Sequence, residues 1–390
     1  MAPTDQLHPA RLLTQRRFRD GVVGEESRIA MGGNLTSASI TDGLPSVSRQ
    51  AGYLEERLVA LGLDGNIAKF YEKRRAFSES QISEFSKRLQ KSKHLSAFDN
   101  LLIYSAGSYA RGEASPFSDI DLFFIHNDID NPEIEDPRLK GIRAIASVIR
   151  EMEEGMDFPP PSNDGQFLSV VKLSDVLEHL GGMEDDYRNH FTARMLLMLE
   201  SRVIYSPDDY RSVMSKIVES YMRDYGDHIE EFRTTFLVND ILRYWRTLCL
   251  NYEHKRNQET EARKTKQKIK NFKLGFSRLS TCFSTVALLS SYNKAEPEEL
   301  VEIFHLPPIE RFLRLSDRVP ATRPLLITCL TLYAWFLEQT ALPPEEIVAM
   351  FEDSERRGEA FRRAREFGEN MFNLTRTAAE ESGTFRYLVI

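Results

Sequence analysis

The sequence lacks several features that would mark a membrane or disulfide-stapled protein. No apolar run in its 390 residues approaches the roughly 20 that a membrane-spanning helix needs. The N-terminal stretch has no apolar core of the kind found in secretory signals. Only three cysteines are present (Cys249, Cys282 and Cys329), they are widely spaced, and no CxxC pair occurs. We therefore expect neither a disulfide framework nor a zinc site, no membrane partner, and a reduced, cytoplasmic setting.

The sequence also lacks the excess of positive charge that is common in proteins dedicated to nucleic acid. It carries 51 Lys and Arg against 59 Asp and Glu, a formal net charge of −8. Motifs of zinc proteases (HExxH) and of serine hydrolases (GxSxG) are missing as well. A hydrophobic share of 41% nevertheless supports a folded globular chain. A local basic patch is the remaining route to a nucleic-acid partner.

The pattern of apolar residues divides the chain into three parts. Residues 1–50 are rich in Gly, Ser, Thr and Arg without apolar periodicity, which predicts a mobile leader. Residues 51–205 mix helical patterns with three short strands, predicted at 101–105, 119–125 and 166–172. Residues 206–390 show only amphipathic helical patterns. The sequence predicts an α+β protein, with a small mixed-sheet catalytic domain at 51–205 followed by an all-helical domain at 206–390.

The stretch from Leu101 to Ile125, LLIYSAGSYARGEASPFSDIDLFFI, carries the chemistry. An apolar strand leads to Gly107-Ser108, where exposed backbone N–H groups and a hydroxyl suit an anion. Asp119 and Asp121 follow in a second apolar run, and alternate residues of a strand point to the same face. Two adjacent carboxylates repel unless a cation lies between them, and oxygen ligands beside phosphates suit Mg²⁺.

This pattern resembles the signature of the DNA polymerase β-type nucleotidyltransferase superfamily. Its wording is similar to that of the PII-protein uridylyltransferases, which share the Arg111-Gly112-Glu113 and Pro116–Leu122 elements. The close match covers the stretch just described, and a weaker similarity continues to about residue 205. The resemblance implies a polymerase-β-like fold for the catalytic domain and an enzyme that binds an NTP as its Mg²⁺ complex. Attack on the α-phosphate would then release pyrophosphate.

The resemblance also implies roles for individual residues. Asp119 and Asp121 would hold two metal ions, Mg²⁺ or alternatively Mn²⁺, that clamp the attacking and leaving oxygens. Gly107 and Ser108 would hold the terminal phosphates. Superfamily members usually add a third carboxylate from a later strand, and the nearest candidate here is Asp164. Either Asp164 is this third catalytic acid or the chain lacks one.

A basic strip covers residues 263–278, with the sequence RKTKQKIKNFKLGFSR. Lys266, Lys270 and Lys273 are spaced to share one helix face. Because helical domains in this superfamily commonly offer a Lys to the nucleotide, the resemblance makes Lys270 and Lys273 candidate phosphate-binding residues. The alternatives are a surface for an acidic or polynucleotide partner and a simple solvated face.

The acceptor of the nucleotidyl group stays open among several classes. The motif wording favours a protein side-chain hydroxyl. The alternatives are a synthase of cyclic or linear oligonucleotide signals, an enzyme that extends a tRNA end, and an inactive fold that binds an NTP or a partner. The acidic net charge speaks against the tRNA enzyme and the basic strip speaks for it.

Overall fold

A computed structural model describes residues 51–129, 138–156, 158–159, 168–229, 232–256 and 261–388. The predicted leader at 1–50, the candidate third acid Asp164 and the start of the predicted third strand lie outside these residues. Four strands form one mixed sheet in the order β3-β2-β1-β4. They are β1 (Leu101–Ala106), β2 (Asp121–His126), β3 (Val170–Lys172) and β4 (Arg202–Tyr205). β1 pairs antiparallel with β2 and β4, and β2 pairs parallel with β3.

Helices surround the sheet and make up nearly all of the described chain after it. Up to β4 they are α1 (Tyr53–Leu61), α2 (Gly65–Leu89), α3 (Lys93–Ser96), α4 (Gly107–Arg111), α5 (Arg138–Arg150), α6 (Leu173–Glu178), α7 (Met183–Tyr187) and α8 (His190–Glu200). After β4 they are α9 (Pro207–Tyr221), α10 (Thr235–Arg256), α11 (Glu261–Lys273), α12 (Leu279–Ser290), α13 (Pro297–His305), α14 (Pro308–Arg318), α15 (Arg323–Gln339), α16 (Pro344–Glu352) and α17 (Ser354–Glu381). A π-helical turn, Leu274–Arg278, joins α11 to α12. The predicted α+β fold is confirmed.

Hydropathy singles out one helix pair among the described residues. No single described helix has the length and apolar composition of a membrane span. The segments Pro320–Gln339 and Pro344–Glu352 reach that composition only together, and the chain bends by 111° between them. Eight of the 17 residues of α15 are buried within the protein, as expected for a helix that packs one face against a core.

Both faces of β1 are buried, which explains why its residues are aliphatic or aromatic except for Ser105. Leu102 and Tyr104 join a large core that continues into the helices after β4. Leu101 and Ile103 point to the other face and pack in a second core. A strand covered on both faces has no polar side, so its sequence lacks alternation. The sheet is therefore held between two layers, and its end beyond Ala106 is left as the place for polar chemistry.

Two predicted boundaries differ from the observed ones. The predicted second strand began at Asp119, but β2 begins at Asp121, so the prediction that both aspartates lie on the strand is wrong. Residues 118–120 form a loop that is anchored by the buried side chain of Ile120. In the predicted third strand, described pairing covers only Val170–Lys172.

A buried arginine that has no carboxylate partner among the described residues fixes the end of α8. Arg311 is 1% exposed and donates to the carbonyls of Met198 and Leu199 at 2.9 and 2.7 Å. It also donates to the carbonyls of Ile303 and Phe304 at the end of α13. Burial lowers the pKa of Arg311 to about 9, which leaves it charged at neutral pH. The negative ends of two helix dipoles thus stabilise one buried cation, and Glu200 stands next in the chain.

A second buried arginine joins helices that precede and follow β4. Arg194 in α8 donates to both carboxylate oxygens of Asp185 at 2.8 and 2.7 Å and to the Tyr221 hydroxyl at 2.8 Å. Tyr221 in turn donates to Asp240, which is also buried. Burial alone would raise the pKa of Asp185, but the hydrogen bonds and charge of Arg194 hold it below the ordinary value. The stability from this carboxylate is therefore present above its unfolded pKa and is lost as the pH falls through its folded pKa.

We predict that Asp185→Asn lowers the free energy of unfolding by about 3–5 kcal/mol at pH 7, because Arg194 then keeps an incompletely paired buried charge. Urea denaturation of the wild type and the variant measures this difference. The difference should shrink as the pH falls below about 4, the ordinary pKa of Asp, because the unfolded wild type then binds a proton that the folded carboxylate binds only at lower pH. Asp227→Asn, at an exposed position, is the control and should behave as the wild type. A loss no larger than that of the control would contradict the network's role.

Candidate active site

The turn between β1 and α4 brings the backbone close to a carboxylate. In the antiparallel register, Ala106 lies opposite Asp121. Gly107 follows with φ +74°, a conformation that favours glycine. A Cβ at this position would lie 3.1 Å from Oδ2 of Asp121. Gly107 is thus required both by its backbone conformation and by the approach of Asp121.

Asp119 and Asp121 meet Gly107 and Ser108 in one cleft. All four line a cavity of about 350 Å³ at the end of the sheet. Asp121 is the first residue of β2, and Asp119 stands in the preceding loop. The side chain of Ile120 is buried, whereas those of Asp119 and Asp121 are only partly buried. Burial therefore alternates along these three residues although Asp119 is not in the strand. The structure brings these four predicted site residues together.

The donor set of the cleft fits a divalent cation that also binds phosphate. Asp119 and Asp121 supply carboxylate oxygens, and Mg²⁺ is usually held by one or two carboxylates with phosphate oxygens and water completing its shell. Within the part of the chain that the structure describes, no group of three or more His, Cys, Asp or Glu side chains is arranged for a metal. Burial and the carboxylate of Asp119 raise the pKa of Tyr109 to about 12, so this phenol stays neutral beside the site.

Positive side chains line the same cleft as these carboxylates. Arg74, Arg111, Lys273 and Arg278 all line it. Arg74 donates to the carbonyls of Ala114 and Leu337 at 3.0 Å each, and therefore links the loop between α4 and β2 to the end of α15. Cations around two aspartates suit a ligand that carries several negative charges.

The two predicted phosphate-binding lysines occupy different places. Lys273, the last residue of α11, is exposed and lines the cleft. Lys270, also exposed, is not among the described residues that line it. The basic strip is split between two faces of α11, because Lys264 and Lys268 line a separate groove of about 580 Å³ beside α10. It is therefore two surfaces, of which Lys273 belongs to the cleft.

Sequence reasoning missed the polar network behind the cleft. Arg111 donates to Glu113 at 2.7 Å, the local pairing that their spacing suggests, but both side chains are buried. Arg111 also donates to Glu200, which receives a second hydrogen bond from Arg278. The one sequence signal for Glu200 is a charge at the end of the otherwise apolar run MLLMLE.

One side of the cleft is largely apolar, and the sequence did not predict it. It is formed by the end of α15, the following loop and α16. The apolar residues on this side are Phe336, Leu337, Leu342, Pro344, Ile347 and Val348. Thr340 adds one hydroxyl, which donates to the carbonyl of Phe336 at 3.0 Å. The lining of the cleft therefore combines charged side chains with a group of apolar ones.

Comparison with known proteins agrees with this geometry. Residues 82–196 match the family model described as a nucleotidyltransferase domain. The matched segment runs from within α2 through β1 and β2 into α8, and it contains Gly107, Ser108, Asp119 and Asp121. No curated protein matches the chain. Residues 82–196 are thus a nucleotidyltransferase domain, which confirms the resemblance to the polymerase β-type nucleotidyltransferase superfamily.

Proposed function

We propose that the cleft transfers a nucleoside monophosphate from an Mg²⁺-bound NTP to an acceptor hydroxyl without a template and releases pyrophosphate. The observation that carries this proposal is the convergence of Asp119 and Asp121 with Gly107 and Ser108 in one cation-lined cleft of a nucleotidyltransferase domain. The charged side chains of the cleft accommodate a triphosphate. Its apolar side chains suit the flat face of a nucleobase.

The residues predicted from the sequence have the following roles in this proposal. The backbone at Gly107 and the hydroxyl of Ser108 bind the terminal phosphates, and Lys273 binds them from the opposite wall. Asp119 and Asp121 hold two divalent cations. When bound, such ions stabilise charge that develops on the phosphate oxygens and lower the pKa of the attacking hydroxyl. The proposed third acid, Asp164, would assist in removing the acceptor proton.

The acceptor we favour is a protein side-chain hydroxyl, which rests on the similarity of the motif to the PII-protein uridylyltransferases. A nucleic-acid acceptor is the second candidate, because Lys264 and Lys268 line a groove on the other face of α11. The salt dependence of the reaction distinguishes the two acceptors, because nucleic-acid binding through several phosphate contacts weakens steeply as the salt concentration rises.

The direct test incubates the full chain with Mg²⁺ and each of the four NTPs, measures pyrophosphate and determines product masses. Pyrophosphate release together with a protein that gains the mass of a nucleoside monophosphate supports the favoured acceptor. Pyrophosphate release together with a small nucleotide product identifies a synthase. Release that requires added RNA identifies the nucleic-acid enzyme. Nucleotide binding without pyrophosphate release, also after addition of cell extract, would overturn the proposed transferase.

We predict that Asp119→Asn and Asp121→Asn each lower turnover at least about 100-fold, because each removes a charge that holds the reacting phosphates' cations. Thermal unfolding should change little, since neither side chain is part of the buried core. Asp227→Asn, an exposed Asp outside the cleft, is the matched control. Wild-type turnover in either cleft variant would refute the site.

We predict that Gly107→Ala lowers turnover because the new Cβ meets Oδ2 of Asp121. Gly383→Ala separates this displacement from simple backbone strain. Gly383 has a similar φ of +68°, and a Cβ there would meet nothing within 4 Å. Both variants should lose about 1 kcal/mol of stability, and only Gly107→Ala should lose activity. Equal activity in the two variants would refute the close approach.

We predict that Lys273→Ala raises the Kd for Mg²⁺–NTP about tenfold, equivalent to ~1.4 kcal/mol, because it removes a cation from the cleft wall. Lys270→Ala should have a smaller effect, since Lys270 does not line the cleft in the described structure. Calorimetric titration of both variants measures the difference. Equal nucleotide affinity in Lys273→Ala and the wild type would exclude Lys273 from phosphate binding.

A further inference from the structure

One buried carboxylate connects the two walls of the cleft. Glu200, the last residue of α8, has a side chain that is 0% exposed. Its Oε2 accepts a hydrogen bond from Arg111, and its Oε1 accepts one from Arg278. Thr281 also donates to Oε2, at 3.4 Å. Glu200 thus holds one arginine from α4 and one from the π-helical turn after α11.

The two arginines differ in what they offer to the cleft. The side chain of Arg111 is 7% exposed, and its guanidinium is shared between Glu113 and Glu200. That of Arg278 is 32% exposed, and within the described residues its only hydrogen bond goes from Nη1 to Glu200. A guanidinium has five donors in a fixed fork. Arg278 therefore has donors left for a ligand, whereas Arg111 is a buried support.

The π-helical turn explains why Arg278 reaches the cleft. The N–H of Leu279 bonds to the carbonyl of Leu274, five residues earlier. Such a turn winds more widely than an α-helix, so Lys273 and Arg278, five residues apart, lie closer to a common face than they would in an α-helix. Both line the cleft with Asp121. In a regular α-helix, a spacing of five residues would turn Arg278 away from Lys273.

Neighbouring charges also act on Arg278, and one of them is the carboxylate of Asp121 in the cleft. Burial and the neighbouring Arg111 lower the pKa of the Arg278 guanidinium, while the carboxylate of Asp121 opposes this shift. Without Glu200, the guanidinium groups of Arg111 and Arg278 would lie near each other, with Glu113 and Asp121 as the remaining described carboxylates that act on them. The position of Arg278 therefore depends on the charge of Glu200 and not only on its volume.

We propose that Arg278 binds the phosphates of the nucleotide, and that Glu200 is the positioning residue that holds Arg278 at the cleft wall. The identity of the ligand as an NTP rests on the proposed function. Because Glu200 holds the guanidinium in place, little side-chain entropy is lost when a phosphate binds. An exposed lysine such as Lys273 lacks this restraint.

The test measures the Kd for each NTP with Mg²⁺ by titration calorimetry, on the full chain. The proteins are the wild type, Arg278→Met, Glu200→Gln and the double variant, each kept well below its own unfolding temperature. We expect Arg278→Met to weaken binding about tenfold and Glu200→Gln to weaken it several-fold. The double variant should bind no more weakly than Arg278→Met, because Glu200 acts through Arg278.

A purely structural role for Glu200 predicts a different result. Glu200→Gln would then lower the unfolding temperature but leave the Kd of the folded protein unchanged, which would overturn the proposal. The control is Arg314→Met in α14, which removes an arginine of similar exposure that pairs with Glu299 of α13 at 3.0 Å and does not line the cleft. Its nucleotide affinity should equal that of the wild type.

Two further variants keep the proposal testable if Glu200→Gln does not fold. Arg278→Lys retains the charge but loses the fork, and it should recover only part of the affinity lost in Arg278→Met. Glu200→Asp keeps the charge but shortens the reach to the arginines, and it should weaken binding without changing the number of charges. Wild-type affinity in both would overturn the proposal.

The binding experiment also separates this inference from the proposed function. Pyrophosphate release is measured on the same wild-type protein. Binding that depends on Arg278 and Glu200 without release would refute the transferase and uphold the positioning role. Release with unchanged nucleotide affinity in Arg278→Met would uphold the transferase and refute Arg278. A wild type that binds none of the four NTPs would refute both.

Discussion

The register of β1 against β2 decides where the chemistry of this protein lies. With Ala106 opposite Asp121, the chain leaves β1 through Gly107 at the point where β2 begins with a carboxylate. A shift by one residue would turn Asp121 to the other face of the sheet and bury it among apolar side chains. Because both faces of β1 are buried, that register is strongly enforced by packing. The core of the sheet therefore fixes the site, although none of its apolar residues takes part in the reaction.

The end of α8 is the second point on which the cleft depends. Arg311 holds this end by hydrogen bonds to Met198 and Leu199, and Glu200 follows directly. The helix dipole places partial negative charge here, which stabilises a buried cation and disfavours a buried carboxylate. Glu200 is therefore tolerated only because it has its own cations, Arg111 and Arg278. The end of α8 therefore serves both the fold and the site. Arg311 stabilises the helix end, and Glu200 binds Arg111 and Arg278 at the cleft.

Sequence reasoning succeeded where the site is local and failed where it depends on packing. Gly107, Ser108 and Asp121 belong to one continuous β1–α4–β2 segment, so their spacing in the sequence predicted that they would meet. The limit of the strand was wrong for Asp119, because an apolar neighbour in a loop looks the same in sequence as one in a strand. Glu200 and Arg278 lie 78 positions apart and are joined through a π-helical turn. No periodicity of 3.6 residues indicates such a turn, so this contact could not be predicted.

The polar network behind the cleft is not explained by stability alone. A buried group of arginines and glutamates stabilises a fold no better than apolar side chains of the same volume would. Apolar packing, however, would hold the two walls of the cleft together without fixing the direction of any group that faces the ligand. Arg111, Glu200 and Arg278 fix distances and directions, because each hydrogen bond tolerates only a narrow geometry. A site that must align a phosphate with two carboxylates needs that precision, and this requirement accounts for charged residues at the contact between the sheet and the helices after it.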